Sequence, residues 1–179
     1  CSPSRSTIIT GMYASSLGTQ HHRSAHPLPP GVRLFPEYLR SLGYYTTNNN
    51  KTDYNIPPPY DAAWNANDSF AHWRNRAPGQ PFFAVFNFLQ SHESNLYTRR
   101  PLVTNPAKIR VPAYLPDTPD VRADLAQYYD AVADADRKIG EILQQLEDDG
   151  LADDTIVFYY ADNGGAVSGS KRFLFDRGT

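Results

Sequence analysis

Two apolar runs constrain the fold of this chain more than any other feature of its sequence. Residues 82–89 (FFAVFNFL) and residues 155–161 (TIVFYYA) are rich in aromatic and β-branched residues. Neither run alternates with polar residues, as a strand with one solvent-exposed face would. Such runs are typical of strands covered on both faces, which occur in parallel sheets packed between helices.

Helical patterns alternate with these two strands. Thr118 and Pro119 begin the clearest helix, in which apolar residues recur at helical spacing as far as Gly150. Capping residues, glycines and prolines predict further elements: a helix over 3–17, a helix over 35–42, a strand over 44–47, and irregular segments over 56–80 and 94–117. The alternation predicts an α/β fold, in which sites lie at the carboxyl ends of the strands.

The overall composition excludes several classes of protein. The 179 residues contain 17 Lys and Arg against 19 Asp and Glu, a net charge of −2 spread along the chain, so we expect no nucleic-acid partner. The longest apolar run is far shorter than the roughly 20 residues of a transmembrane helix, so we expect no transmembrane segment. The only cysteine is Cys1, which excludes an internal disulfide.

Polar residues follow the predicted strands. Lys51, His92 and the pair Asp162-Asn163 each lie beyond a strand, and Cys1 precedes the first helix with Arg5 one turn later. A helix N-terminus with cationic side chains favours an anionic ligand. Carboxylate and amide oxygens suit Ca²⁺ or Mg²⁺, but two residues are too few for a complete site.

The first residues carry a specific resemblance. CSPSRSTIITG, residues 1–11, resembles the signature C-x-P-x-R of the sulfatase family, with Thr10-Gly11 after four further residues. Other stretches resemble the family's active-site segments in the same order: 43–46 with Lys51, 82–89 with His92, 128–163 with Asp162-Asn163-Gly164, and Lys171. The resemblance covers essentially the whole chain.

The resemblance implies a fold and a chemistry. The fold is the alkaline phosphatase-like one, a mixed and mostly parallel sheet sandwiched by helices. The activity is that of a sulfuric ester hydrolase, acting on a sulfated small molecule or carbohydrate. Cys1 would be converted to formylglycine by the formylglycine-generating enzyme, and one hydroxyl of the aldehyde hydrate would attack sulfur. The second hydroxyl, once deprotonated, would expel sulfate and regenerate the aldehyde.

The same resemblance implies roles for the site residues. Arg5 would hold the hydrate, and Ca²⁺ rather than Mg²⁺ would be bound in part by Asp162 and Asn163. Lys51, His92 and Lys171 would balance charge in the transition state, and either His92 or Lys171 would protonate the leaving oxygen. All of these residues are expected around one pocket.

Departures from the family pattern limit these expectations. The family commonly has Lys-Trp-His where this sequence has Lys51-Thr52-Asp53, so Asp53 either takes the histidine's role or only supports its loop. Residues 1–179 are expected to be part of an N-terminal sulfatase catalytic domain, without its first β-strand, its upstream aspartate pair and its C-terminal portion. We expect such a fragment to be inactive alone. The resemblance implies a periplasmic, secreted or lysosomal protein, a location that the sequence itself does not decide.

Alternative interpretations remain open at this point. Relatives with the same cysteine motif act on phosphoryl groups, so a phosphonate or phosphate ester hydrolase is the second candidate. A binding module that kept the fold without the chemistry is the third. His21, His22 and His26 permit a transition-metal site, but we favour loop residues on the substrate side or solvated surface. His72 and Trp73 permit a sugar pocket, with packing the preferred role of Trp73.

Overall fold

Most of the predicted helices and strands are present in a computed structural model, which describes residues 1–171. The chain divides into two units, Cys1–Asn87 and Phe88–Thr179. The helices are α1 (Ser2–Thr10), α2 (Ala14–Leu17), α3 (Phe35–Ser41) and α4 (Pro119–Asp148), and the strands are β1 (Tyr45–Asn49) and β2 (Phe82–Phe86). Short 3₁₀ helices cover Trp73–Asn75, Glu93–Leu96, Pro106–Lys108 and Ala152–Asp154.

Two parallel strands form the sheet of the first unit. Tyr45 lies opposite Phe82 and Asn49 lies opposite Phe86, so the register is continuous from end to end. Parallel strands need a long crossover connection, and residues 50–81 provide it. The pairing confirms the α/β class that the sequence predicts.

An aromatic-rich core packs around this sheet. Its buried members come from α1, from the segment before α3 and from the crossover: Ile9, Leu34, Tyr54, Ile56, Ala63 and Trp64. Phe83 of β2 is stacked on Trp64 with 6.0 Å between ring centroids and meets Phe35 edge to face at 5.1 Å. The core therefore joins the signature helix to the loop that follows β1.

The helix predicted over 3–17 is wrong as a single element. α1 ends at Thr10, and Gly11 adopts a left-handed conformation with φ of 69° while its N–H donates to the carbonyl of Thr7 at 2.8 Å. Glycine has no Cβ to oppose this conformation, so it terminates the helix as a C-cap. The chain resumes helical structure only at Ala14 in α2.

The two strands of the sheet differ in length from their predictions. β1 continues through the asparagines to Asn49, beyond the predicted end at residue 47. β2 ends at Phe86 rather than at residue 89, and its residues are half-buried rather than fully covered. At the end of β2 the N–H of Asn87 donates to the carbonyl of Asn49 at 2.7 Å, so the side chain of Asn87 is placed beside β1.

Helix α4 is the largest element of the second unit and confirms its prediction. The Thr118 side chain accepts the N–H of Val121 and caps the helix, and Pro119 follows at the first helical position. Leu125 and Ala126 of α4 pack with Ile109 in a small core. Residues 94–117 are irregular apart from two short 3₁₀ helices, as the prolines predict.

The strand predicted over 155–161 does not form. The segment has no regular secondary structure, and no strand among residues 1–171 pairs with it. Ile156 and Phe158 are 82% and 80% exposed. A strand requires a hydrogen-bonded neighbour, and an apolar pattern alone does not supply one.

The helices among residues 1–171 do not include one long and apolar enough to cross a membrane.

Candidate active site

Cys1 lies where the sequence predicts it, at the start of α1. It is the N-cap residue of a nine-residue helix and is half-exposed. Its carbonyl accepts the N–H of Arg5 at 2.9 Å, the first hydrogen bond of the helix. The positive end of a helix dipole and its unpaired N–H groups favour negative charge at this position.

Arg5 is bound to the loop that follows β1. Its Nε donates to the carbonyl of Thr52 at 2.8 Å, and its Nη2 donates to the carbonyl of Lys51 at 2.5 Å and to Asn87 Oδ1 at 2.8 Å. The guanidinium carbon also lies 5.8 Å from the centre of the Tyr54 ring. A planar guanidinium can satisfy several fixed acceptors at once, which a lysine ammonium does less well. The signature arginine thus holds the main chain of the predicted active-site lysine.

Two asparagines complete a closed ring of hydrogen bonds around the Lys51 carbonyl. Asn48 is fully buried, and its Nδ2 donates to the same Lys51 carbonyl at 3.1 Å. Asn87 Nδ2 donates to Asn48 Oδ1 at 2.9 Å, while Asn87 Oδ1 accepts from Arg5. Buried polar groups that satisfy one another in this way stabilise a single arrangement. Sequence reasoning missed both asparagines, although each lies at the carboxyl end of a strand.

Asp53 lies in the same loop as Lys51. It is half-buried and adopts a left-handed backbone conformation with φ of 52°, which aspartate tolerates better than most residues. Burial, and then the negative charge of Asp53, raise the pKa of the Tyr60 hydroxyl above its ordinary value. Asp53 therefore contributes negative charge to this side of the first unit, where the family pattern commonly has a histidine.

A histidine-containing loop packs against the start of α1. Ser2 is fully buried, and its Oγ accepts the N–H of Arg23 at 3.0 Å and lies 3.3 Å from Nδ1 of His22. Asn55 Nδ2 donates to the carbonyls of Thr19 and His21 from the other side. The loop is thereby attached beside the residue that follows Cys1. In the sequence, the only indication of this contact is Ser2 itself, a serine at a variable position of the signature.

The described residues do not place His21, His22 and His26 in a metal site. Within the described residues no group of three or more His, Cys, Asp or Glu side chains is arranged to hold a metal ion. Trp73 is 2% exposed and stacks on Phe82 with 5.8 Å between ring centroids, which confirms its packing role.

The second unit contains the other predicted site residues. His92 is half-buried, six residues beyond β2, and caps the 3₁₀ helix Glu93–Leu96 by accepting the N–H of Ser94 at Nδ1. With Nδ1 as the acceptor, a neutral ring has its proton on Nε2. Lys171 Nζ lies 3.6 Å from Glu93 Oε1, and its side chain is 15% exposed. Lys171 is thus attached next to His92.

The loop with Asp162 and Asn163 follows the irregular segment 155–161. Asn163 Nδ2 donates to the carbonyl of Gly164 at 2.8 Å. The side-chain oxygen of Asn163 is the acceptor atom of the same amide group. A Cβ on Gly165 would lie 2.5 Å from the Tyr128 hydroxyl, so a larger residue here would require the Tyr128 side chain or the loop to shift.

Asp162 and Asn163 carry the kind of ligand atoms that Ca²⁺ prefers, but two residues are too few for a complete calcium site. Their oxygens are of the kind that Ca²⁺ prefers, whereas Ca²⁺ takes about six to eight ligands. Because residues 1–171 contain no larger acidic cluster, the described part of the chain does not make a calcium site by itself. These two residues can contribute only part of a ligand set.

Comparisons with known proteins identify relatives of this chain. The family model named Sulfatase matches residues 48–178. An ulvan-active sulfatase of Formosa agariphila is 37% identical over 227 aligned positions, which cover 99% of this chain and 38% of the relative. Human N-sulphoglucosamine sulphohydrolase is 38% identical over 79 residues, 44% of this chain and 16% of the relative. Human N-acetylgalactosamine-6-sulfatase is 26% identical over 215 residues, 93% of this chain and 41% of the relative. The chain thus spans less than half the length of each of these relatives.

Proposed function

This chain belongs to the sulfatase family, and from that membership we propose that the protein hydrolyses sulfate esters of a carbohydrate. The observation that carries the proposal is the intact signature at the start of α1, with Arg5 donating to the main chain of Lys51. The carbohydrate substrate is suggested by the names of the relatives, which refer to ulvan and to two amino sugars.

The proposed nucleophile comes from Cys1. Converted to formylglycine, residue 1 would supply a hydrated aldehyde whose oxygen attacks sulfur. The N-cap position aligns this residue with the helix N–H groups, which stabilise the negative charge that develops in the reaction. Arg5 adds a positive charge one turn away, and its bonds to the 51–52 main chain keep that charge in place.

The remaining cationic side chains have proposed roles in charge balance and proton transfer. Lys51 and Lys171 would reduce the negative charge of the transferring sulfate. While Nδ1 accepts the N–H of Ser94, the neutral His92 ring can donate a hydrogen bond from Nε2 to the sulfate group, and it becomes a proton donor when Nδ1 is protonated as well. We propose that either His92 in its doubly protonated form or Lys171 protonates the leaving oxygen. Asp53 is proposed only to shape the loop, since it carries the charge opposite to that of a protonated histidine.

A calcium ion is the proposed cofactor, with Asp162 and Asn163 as two of its ligands. When bound, the cation would supply positive charge to polarise the sulfate group. No step above depends on its position.

The test uses protein expressed from the complete reading frame in a host that produces formylglycine. Sulfate release is measured from sulfated oligosaccharides and from an aryl sulfate, with the matched phosphate ester as the comparison substrate. Mass spectrometry of the tryptic peptide that contains Cys1 reports conversion of the thiol to the aldehyde. C1A is the control variant and should release no sulfate.

Each outcome separates the candidate functions. Conversion of Cys1 together with sulfate release supports the proposal. Preferential turnover of the phosphate ester favours the phosphoryl hydrolase. An unmodified thiol without turnover of either ester favours the binding module and contradicts the proposal.

A further inference from the structure

The hydroxyl of Ser2 has a defined hydrogen-bonding arrangement. Ser2 is fully buried, and its Oγ accepts the main-chain N–H of Arg23 at 3.0 Å. The same oxygen lies 3.3 Å from Nδ1 of His22. The Arg23 N–H occupies one of the two lone pairs of this oxygen, and the proton of the hydroxyl is available for donation to Nδ1.

The direction of the Ser2–His22 hydrogen bond is linked to the position of the proton on the His22 ring. If Nδ1 accepts from Ser2, the neutral imidazole is protonated at Nε2. His22 is exposed, and the described part of the chain makes no second hydrogen bond to its ring. In that tautomer, Nε2–H is a hydrogen-bond donor on an exposed side chain of the loop that contacts Ser2.

The loop that carries His22 is fixed at several points. The Ser6 hydroxyl donates to Thr19 Oγ1 at 2.7 Å, and Asn55 donates to the carbonyls of Thr19 and His21 at 2.7 and 2.5 Å. His26 donates its main-chain N–H to the carbonyl of Asn55 at 2.9 Å. A donor on a preorganised loop loses little conformational entropy when it binds a ligand.

We propose that His22 binds the substrate, donating Nε2–H to an oxygen of the sulfated carbohydrate at Cys1, and that Ser2 is the positioning residue that sets its tautomer. This inference rests on the proposed function. A histidine that merely covers the surface needs no buried serine to orient it. A transition-metal role is not supported, because no cluster of three ligating side chains includes it within residues 1–171.

The test compares two isosteric substitutions of His22. In H22Q the amide nitrogen reaches the position of Nε2, whereas in H22N it reaches only that of Nδ1. We expect H22N to lower kcat/KM for a sulfated oligosaccharide about three- to tenfold, the effect of losing one neutral hydrogen bond. The loss should appear mainly in KM, and H22Q should restore most of it. The neighbouring exposed H21Q is the matched control and should behave as the unsubstituted protein does.

Ser2 is tested in the same background. S2A should lower kcat/KM by a smaller factor than H22N. The kcat/KM of the double variant S2A/H22N should be no lower than that of H22N, because both substitutions act on the same interaction with substrate. Mass spectrometry of the Cys1 peptide must show equal conversion in every variant, so that maturation does not account for the difference.

The outcomes distinguish this inference from the proposed function. An unsubstituted protein that releases no sulfate overturns the proposed function and this inference with it. An active protein in which H22N has unchanged kinetics, or in which H21Q is equally impaired, overturns the role of His22 alone. Additive effects of S2A and H22N overturn the positioning role of Ser2.

Discussion

Arg5 donates a hydrogen bond to the main-chain carbonyl of Lys51 at 2.5 Å, across 46 positions of the sequence. The signature of the sulfatase family is therefore also a structural element of this unit. Arg5 joins α1 to the loop after β1, and its bond to Asn87 connects both to the end of β2. Loss of activity in an Arg5 variant would report loop position as well as any contact with substrate.

The substitution R5K separates charge from hydrogen-bonding geometry. Lysine keeps the charge but cannot satisfy the carbonyls of Lys51 and Thr52 together with Asn87 Oδ1. We expect the free energy of unfolding to fall by about 1.5–3 kcal/mol, the value of one hydrogen bond to a charged group. Urea denaturation measures the loss, and hydrogen exchange over residues 45–54 should locate it. R33K, on an exposed arginine of the same unit, should change stability by less than about 0.5 kcal/mol. Equal effects of the two variants would refute the structural role of Arg5.

Asn87 should be as important to this ring as Arg5. N87L keeps the approximate volume of the side chain but removes its donor to Asn48 and its acceptor for Arg5. We expect a loss of about 1–3 kcal/mol, because buried partners are left unsatisfied. The double variant R5K/N87L should show a coupling energy of about 0.5–3 kcal/mol, because Arg5 and Asn87 are joined by a hydrogen bond. Independent sites would instead give additive losses. N75L, at an exposed asparagine, serves as the comparison and should be nearly neutral.

Asp130 should make the stability of the protein depend on acid pH. Burial acts to raise the pKa of this carboxyl, but the Thr104 hydroxyl and the N–H groups of Val103 and Thr104 together hold it below the ordinary value of 3.8. A depressed folded-state pKa contributes stability above the unfolded value, and that stability is lost as pH falls through the folded pKa.

The variant D130N tests this dependence. Its free energy of unfolding should fall less than that of the unsubstituted protein as the pH decreases from about 5 to 2, because the titrating group is gone. D136N, at an exposed position of the same helix, should retain the original slope. Parallel curves for D130N and the unsubstituted protein would contradict the prediction.

Calcium removal tests the proposed cofactor. A chelator should lower both the sulfatase activity and the melting temperature, and added Ca²⁺ should restore them, since a ligand that binds only the folded state stabilises it. D162A should lower the affinity for Ca²⁺ measured by calorimetry. D154N, which changes an exposed acid before residues 155–161, should bind as the unsubstituted protein does. A protein whose activity is insensitive to the chelator, or D162A with unchanged affinity, would exclude this assignment.

Elements with local signals were predicted well. Helix α4 begins at Pro119 after the Thr118 cap and ends one residue before Asp149, because capping and helical spacing are read from neighbouring residues. The sequence pattern does not predict the end of α1 at Gly11, because apolar residues on both sides of this glycine favour one longer helix. The apolar pattern of residues 155–161 predicts a strand, but such a pattern does not identify the strand with which it would pair.

The sequence by itself determined the family signature, the position of Cys1 at a helix N-terminus, and helix α4, because each depends on residues close together in the chain. Only the tertiary structure decided that Arg5 donates to the main chain of Lys51 and that the Ser2 hydroxyl lies within hydrogen-bonding distance of His22. Those contacts join residues 46 and 20 positions apart. They form only when folding brings together polar groups that are distant in the sequence, and buried groups such as Ser2 and Asn48 must then find hydrogen-bond partners.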